Sequence, residues 1–169
     1  TLYVMIVLGL TMGMQPIVGY NFGAQKIDRV KQTLRLGIIS GVVITSSGFV
    51  ICEFFPHAVS ALFTDSDELI DLAVGGIRLT VLMFPFVGAQ IVIGNFFQSI
   101  GKAKVSIFLS LTRQLLYLLP CLLLFPNWWG LEGIWISMPV SDALAFITAV
   151  VSLMIYIKKV SKQHPVVAE

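Results

Sequence analysis

The chain has 169 residues, of which 57% are hydrophobic and only 12% are charged, and its mean hydropathy is +0.91. Soluble domains carry about 25% charged residues, so this composition excludes an ordinary soluble fold and predicts an integral membrane protein. The net charge of +2 is too small to indicate a nucleic-acid partner.

Five apolar runs are long enough to cross a bilayer, which takes about 20 residues in a helix. They are residues 2–20, 36–55, 72–97, 105–125 and 134–157. They lack the alternation of membrane barrel strands, so the predicted fold is an all-α, polytopic membrane helical bundle with about five transmembrane helices. The chain enters its first apolar run without an initiator Met or the basic head of a signal peptide. We therefore expect a fragment of a longer membrane protein.

The connections between these runs alternate in charge. Residues 21–35 and 98–104 and the tail are basic, whereas residues 56–71 and 126–133 carry no Lys or Arg. The acidic side chains of the latter two are Asp65, Asp67, Glu68, Asp71 and Glu132. Because basic connections stay on the cytoplasmic side, we expect an outer N-terminus and a cytoplasmic C-terminus in a multi-pass protein. The apolar segment 57–63 is too short to span and is expected to lie along the outer surface.

Prolines and paired glycines recur inside the runs. Pro16, Pro85, Pro120 and Pro139 each remove a backbone hydrogen bond, and we expect them to kink four of the five helices. Ordinary packing is the alternative, since Pro is common in membrane helices. Three GxxxG pairs begin at Gly9, Gly19 and Gly37 and favour close helix packing, without indicating a function.

Three charged residues lie within the runs, where a charge is costly and indicates a functional site or a structural ion pair. Arg78 and Asp142 lie six and eight residues from the outer boundary, at depths of about 9 and 12 Å. These depths predict an intramembrane Arg78–Asp142 pair. Arg113 approaches from the inner side, and its long stem is expected to extend towards the inner headgroups.

Uncharged polar residues follow helical periodicity on two faces. Ser106, Ser110, Arg113, Tyr117 and Pro120 share one face of the fourth run, and Gln90, Gly94, Gln98 and Gly101 share one face of the third. We expect these faces to meet each other or a hydrated cavity. The sequence contains no phosphate-binding loop, nucleophile elbow or metal-ligand motif. We therefore predict no enzyme activity, no metal site and no cofactor.

Several segments together resemble the MATE (multidrug and toxic compound extrusion) transporters, and the MepA-like bacterial branch in particular. Residues 13–26 resemble a helix end and its cytoplasmic turn, and residues 96–104 resemble the turn after the tenth helix. Arg113-Gln114 with Pro120, followed by residues 130–135, resembles the eleventh helix and its outer turn. The resemblance implies that residues 1–169 form a partial C-terminal lobe, helices eight to twelve of a twelve-helix fold.

The resemblance also implies a function and a cavity. Members of the family export organic cation drugs across the bacterial cytoplasmic (inner) membrane by antiport with H+ or Na+. A partner would be the N-terminal lobe of the same protein, besides membrane lipids. The residues expected to line or shape a central substrate cavity are Gln90, Asn95, Gln98, Arg113, Tyr117 and Asp142. NorM-type members carry an acidic cation ligand in the tenth helix, but residues 72–97 contain no Asp or Glu. Coupling would then fall to acids elsewhere in the protein.

Two alternatives remain at this point. A lipid-linked oligosaccharide flippase of the same superfamily is expected to place several cationic residues in its cavity to bind a pyrophosphate. Only Arg78 and Arg113 lie within the runs, which disfavours it. A non-transporting scaffold subunit is disfavoured by the four prolines and the polar faces.

Overall fold

The computed structural model describes residues 2–62, 64 and 66–163. Every regular element in these ranges is helical, which confirms the predicted all-α fold. The elements in chain order are α1 (Leu2–Gly23), α2 (Ile27–Phe54), α3 (Pro56–Ala61), α4 (Asp67–Val81), α5 (Phe84–Ser99), α6 (Ala103–Leu111), a π-helical segment (Thr112–Leu118) and α7 (Leu119–Gln163). The predicted acid Asp65, the end of the predicted surface segment at Phe63, and His164 lie outside the described residues.

Three helices of the described part are long and apolar enough to span a membrane, and a fourth span is formed if the bent pair α4–α5 crosses as one. The third of these is a continuous run of 58 residues, Ala103–Val160. At helical rise it would measure about 87 Å, nearly three times the hydrocarbon thickness. Gly130 divides it, because its backbone is non-helical with φ 56° and ψ −132°. The described chain thus holds five long helical segments, and the crossing of a bilayer by each of them stays a prediction.

Helix α5 lies at the centre of the bundle, packed against α1, α2 and α7. Eight of its sixteen residues are buried, which explains why its sequence is apolar on most sides. The contact with α2 is the closest of these, because Gly41 of α2 and Gly88 of α5 bring the two backbones together. Gly37 extends this contact, packing against Met14 and Val92. Small residues therefore set the distance between α2 and α5.

The two basic turns share one backbone motif. After α5, Lys102 N–H donates to the Phe97 carbonyl at 2.8 Å and Gly101 N–H donates to the Gln98 carbonyl at 3.1 Å. Gly101 has a φ of 77°, so this is the Schellman ending that favours glycine. After α1, Lys26 and Gln25 donate to Asn21 and Phe22 in the same pattern, with Gln25 at φ 59°.

The basic turns lie at the same end of the bundle. A cavity of about 170 Å³ is lined by Gln25, Ile27, Lys102 and Lys159 together with apolar residues. Residues from the α1–α2 turn, the α5–α6 turn and the end of α7 therefore meet there. This end is called the basic end below.

The four predicted kink sites differ in their local structure. Pro85 lies in the first turn of α5, and the chain bends by 48° between α4 and α5. Pro120 follows the π-helical segment directly, where a wider helical turn accommodates a proline that lacks an N–H. Pro16 and Pro139 lie inside α1 and α7, and both helices run through them without a break. The turn predicted at residues 126–133 is shorter in the structure, since helix continues up to Gly130.

Candidate functional site

A cavity of about 280 Å³ lies between α5 and the continuous run formed by α6 and the π-helical segment. From α5 it is lined by Gln90, Ile91, Gly94, Asn95 and Gln98, from the other run by Ser106, Leu109, Ser110, Arg113 and Gln114, and from α1 by Leu8. Most of the residues on the two polar faces predicted from helical periodicity therefore line the same cavity. Helical geometry explains this, since residues three and four apart share a face.

The amide side chains of α5 differ in how they are satisfied. Gln90 is 8% exposed, and its Oε1 is buried with no hydrogen-bond partner among the described residues. Asn95 Nδ2 donates to the Ile91 carbonyl at 2.9 Å, and its Oδ1 accepts from Gln15 Nε2 of α1 at 3.3 Å. Gln98 is exposed nearer the basic end. A buried acceptor without a partner costs free energy, so Gln90 offers a hydrogen-bonding position that a bound molecule would satisfy.

The predicted Arg78–Asp142 pair is wrong. Asp142, whose side chain is 10% exposed, accepts from Arg113 Nε at 2.8 Å instead. The two limbs of the helical run that Gly130 divides pack against each other, and this brings Arg113 to Asp142. The depth of Asp142 suited either arginine, and only the packing of the helices decides between them.

Arg78 pairs with a residue that the sequence reasoning missed. Its Nε lies 3.8 Å from Oε1 of Glu53 at the end of α2, and both side chains are partly exposed. Helix α4 does contact α7, but through Gly76 and the indole of Trp135 rather than through Arg78. Glu53 lies only two residues inside the predicted second run, and that position in an apolar run was the available signal.

Tyr117 and Asp142 do not line the cavity. Tyr117 Oη forms a 2.8 Å hydrogen bond with Thr148 Oγ1, which joins the π-helical segment to the second limb of α7. Asp142 acts on the cavity only through Arg113. The other four predicted cavity residues, Gln90, Asn95, Gln98 and Arg113, all line it. Sequence reasoning missed Gln15, Gln114 and Thr148, although each is a polar residue inside an apolar run.

The cavity is polar without an acid. None of its lining residues is an Asp or Glu, and its one cation, Arg113, is neutralised by Asp142. Its hydrogen-bonding groups are amides and hydroxyls, interleaved with Leu8, Ile91 and Leu109. In the described part of the chain, no group of His, Cys, Asp and Glu is placed to hold a metal ion. The arrangement suits a ligand that combines apolar surface with a few polar groups.

Comparisons with known proteins agree with this architecture. The multidrug export protein MepA of Staphylococcus aureus (strain MSSA476) is 24% identical over 157 residues, covering 90% of this chain and 33% of that protein. MepA of Staphylococcus haemolyticus is 22% identical over 140 residues, covering 83% and 30%. This chain thus spans about a third of the length of the relatives that it matches.

Solved structures give the same result. The MATE multidrug transporter DinF-BH, in a drug-bound complex, has a TM-score of 0.84 and 38% identity, covering 90% of this chain and 34% of that one. The Vibrio cholerae MATE transporter VcmN in its bent form has a TM-score of 0.85 at 21% identity, covering 95% and 36%, and supports the fold alone.

A family model provides the strongest comparison. The MatE model matches residues 1–123, well over half of the chain. The protein therefore belongs to the MATE family, whose members are multi-pass membrane transporters rather than enzymes.

Proposed function

We propose that this chain forms part of the transport pathway of a multidrug efflux antiporter in the bacterial cytoplasmic membrane. The exported substrates are organic cation drugs, exchanged for protons or sodium ions, and the pathway is completed by the N-terminal lobe of the same protein. The names of the MepA relatives and the drug-bound complex of DinF-BH support a drug substrate.

The observation that carries this proposal is the cavity between α5 and the α6–π run. It combines an unpartnered amide oxygen on Gln90 with apolar side chains, and it has no acid to select one particular cation. Varied drugs are therefore held by shape, apolar contact and neutral hydrogen bonds. The carboxylate that binds the coupling ion belongs to another part of the protein, because Asp142 already neutralises Arg113.

The same geometry disfavours a lipid-linked oligosaccharide flippase. A pyrophosphate substrate requires uncompensated cations in the cavity. Both arginines of the helical segments, Arg78 and Arg113, are paired with acids. A scaffold subunit without transport is disfavoured by membership of a transporter family.

Ethidium accumulation in cells that lack their main efflux pumps tests the proposal. The full-length protein that contains this chain is expressed, and the pH and sodium gradients are collapsed separately. We expect lower ethidium in the expressing cells, and the loss of this effect with one gradient identifies the coupling ion. Unchanged ethidium despite verified membrane expression would contradict the proposal.

The variant Gln90→Leu tests the role of the cavity. Leucine has a similar size and removes the unpartnered oxygen, so folding is expected to be retained. Loss of one hydrogen bond of about 1 kcal/mol predicts roughly fivefold weaker export. Gln32→Leu, at an exposed glutamine of α2, is the matched control and should export like the unmodified protein. Equal export by both variants would remove the cavity from the pathway.

A further inference from the structure

A second cavity, of about 410 Å³, opens at the basic end between α6 and the last turns of α7. Phe97 of α5 contributes a buried ring, and three lysines, Lys102, Lys104 and Lys159, also line the cavity. It shares no lining residue with the cavity between α5 and the α6–π run. We call it the lysine groove.

Both helices of the groove present their residues in the same order. On α6, Lys104 is followed four residues later by Phe108, and on α7, Lys159 is preceded four residues earlier by Ile155. Residues four apart lie on one helix face, about 6 Å apart along the axis. Each helix therefore places a cation at the end of the bundle and an apolar side chain one turn deeper. Phe108 is 52% exposed and Ile155 is 64% exposed, so this apolar surface is open.

The third lysine is held in position by the fold. The Schellman hydrogen bonds after α5 fix the backbone of Lys102. Its Nζ lies 4.5 Å from the ring centroid of Tyr156, and that ring packs edge-on against Phe97 at 5.6 Å. A cation over an aromatic face is stabilised, so Lys102 reaches the groove in an ordered arrangement rather than as a free surface side chain.

The charge of the groove determines its occupant. No acid lines it, and among the described residues neither of the two salt bridges involves these lysines. A cationic drug would be repelled, whereas a phosphate group would be attracted. The apolar surface one turn deeper requires a hydrocarbon chain joined to that phosphate.

We propose that the lysine groove is a binding site for an anionic phospholipid. The headgroup phosphate lies among Lys102, Lys104 and Lys159, and an acyl chain lies along Val105, Phe108 and Ile155. Basic pockets between membrane helices are suited to such headgroups. The bound lipid joins α6 to α7 at the basic end, where the two helices otherwise leave open space.

Native mass spectrometry of the purified full-length protein tests this site, using phosphatidylglycerol, phosphatidylcholine and soluble glycerol phosphate as probes. The triple variant K102Q/K104Q/K159Q is compared with a control triple, K26Q/R35Q/K158Q, which removes equal charge from exposed positions outside the groove. At about fivefold for each lysine, phosphatidylglycerol affinity should fall on the order of 100-fold in the first triple. The control triple and phosphatidylcholine binding should change less than about threefold.

A second variant separates the acyl chain from the phosphate. Ile155→Trp fills the groove and keeps all three lysines, so phosphatidylglycerol affinity should fall several-fold. Equal binding by the first triple and the unmodified protein would overturn the proposal, as would an equal loss in the control triple. Glycerol phosphate that binds as tightly as the intact lipid, or an Ile155→Trp variant without effect, would also overturn it. Melting temperatures of lipid-free samples verify that each variant is folded.

Discussion

At the scale of single residues, the Arg113–Asp142 ion pair has the clearest consequence. Asp142 is nearly buried, and its partner lies 2.8 Å away. A carboxylate in such a position is tolerated because a cation compensates for its desolvation. Arg113 also lines the cavity proposed for drugs. The pair therefore links the shape of that cavity to the second limb of α7.

The first prediction concerns this pair. Arg113→Gln leaves a buried acid without its partner and should lower the free energy of unfolding by about 2 kcal/mol, less than for a fully buried pair because Arg113 is partly exposed. Adding Asp142→Asn should restore about half of this loss, because the double variant contains no buried unpaired charge. Thermal unfolding of the purified full-length protein measures the cycle. Additive losses in the double variant would show that the two residues do not interact.

The second prediction concerns Gln25, a non-glycine residue at φ 59°. An L-residue in this region costs roughly 1 kcal/mol, and glycine does not incur that cost. Gln25→Gly should therefore raise the free energy of unfolding by about that amount. Gly101→Ala, in the matching turn with φ 77°, should lower it by a similar amount. A Gln25→Gly variant that melts at a lower temperature would contradict the Schellman interpretation of this turn.

Residue depth was predictable from the sequence, but residue pairing was not. Counting residues from the run boundaries placed Arg78, Arg113 and Asp142 at useful depths. The partner of each charge depends on which helices are neighbours and on their rotation, and one apolar run carries no information on either. Glu53 was missed for a related reason, because its role appears only once α4 packs beside α2.

At the scale of elements, glycine contacts determine how closely helices approach. Of the three GxxxG pairs in the sequence, Gly37 and Gly41 meet α5 closely, whereas Gly9, Gly13 and Gly23 have open space where a Cβ would be. Gly88, which belongs to none of these pairs, forms the closest part of the contact. The spacing identified small residues but could not identify which of them face another helix.

The third prediction tests the α2–α5 crossing. A Cβ at Gly88 would collide with the Gly41 carbonyl and with Thr45 Oγ1, and neither backbone can move without displacing its helix. Gly88→Ala should lower the free energy of unfolding by about 2 kcal/mol or more and reduce the monodisperse yield. Gly94→Ala on the same helix is the matched control, because nothing lies within 4 Å of its Cβ position. Size-exclusion profiles and melting temperatures compare the two variants, and equal values would contradict close packing at Gly88.

Helix boundaries were predicted less well than helix existence. The run predicted as 72–97 is two helices joined at a 48° bend, and helix begins five residues earlier, at Asp67. Apolar composition cannot reveal this bend, since Leu82 and Met83 at the break are as apolar as their neighbours. Pro85 was the local signal. The outer turn at Gly130 was predicted too long for the same reason, because one residue with a positive φ reverses the chain there.

At the scale of the whole molecule, the two ends of the bundle differ in charge. Lys102 and Lys159 meet the α1–α2 turn around one cavity, so three basic segments of the chain share an end. Asp67, Glu68 and Glu132 lie in connections or first turns that alternate with those segments along the chain. Such asymmetry sets the orientation of a multi-pass protein, with the basic end in the cytoplasm.

The last prediction tests this orientation in whole cells. Cys52 and Cys121 are first replaced by alanine in the full-length protein, and one cysteine is then introduced at either end. Ala24→Cys lies in the basic α1–α2 turn, and Asn127→Cys lies next to Trp128 and the Gly130 reversal; both positions are exposed. A membrane-impermeant maleimide should label Asn127→Cys in intact cells and Ala24→Cys only after permeabilisation. The reverse pattern would place the lysine groove in the outer leaflet and would contradict the charge rule on which the orientation rests, whereas the expected pattern would place the groove beside the anionic lipids of the inner leaflet.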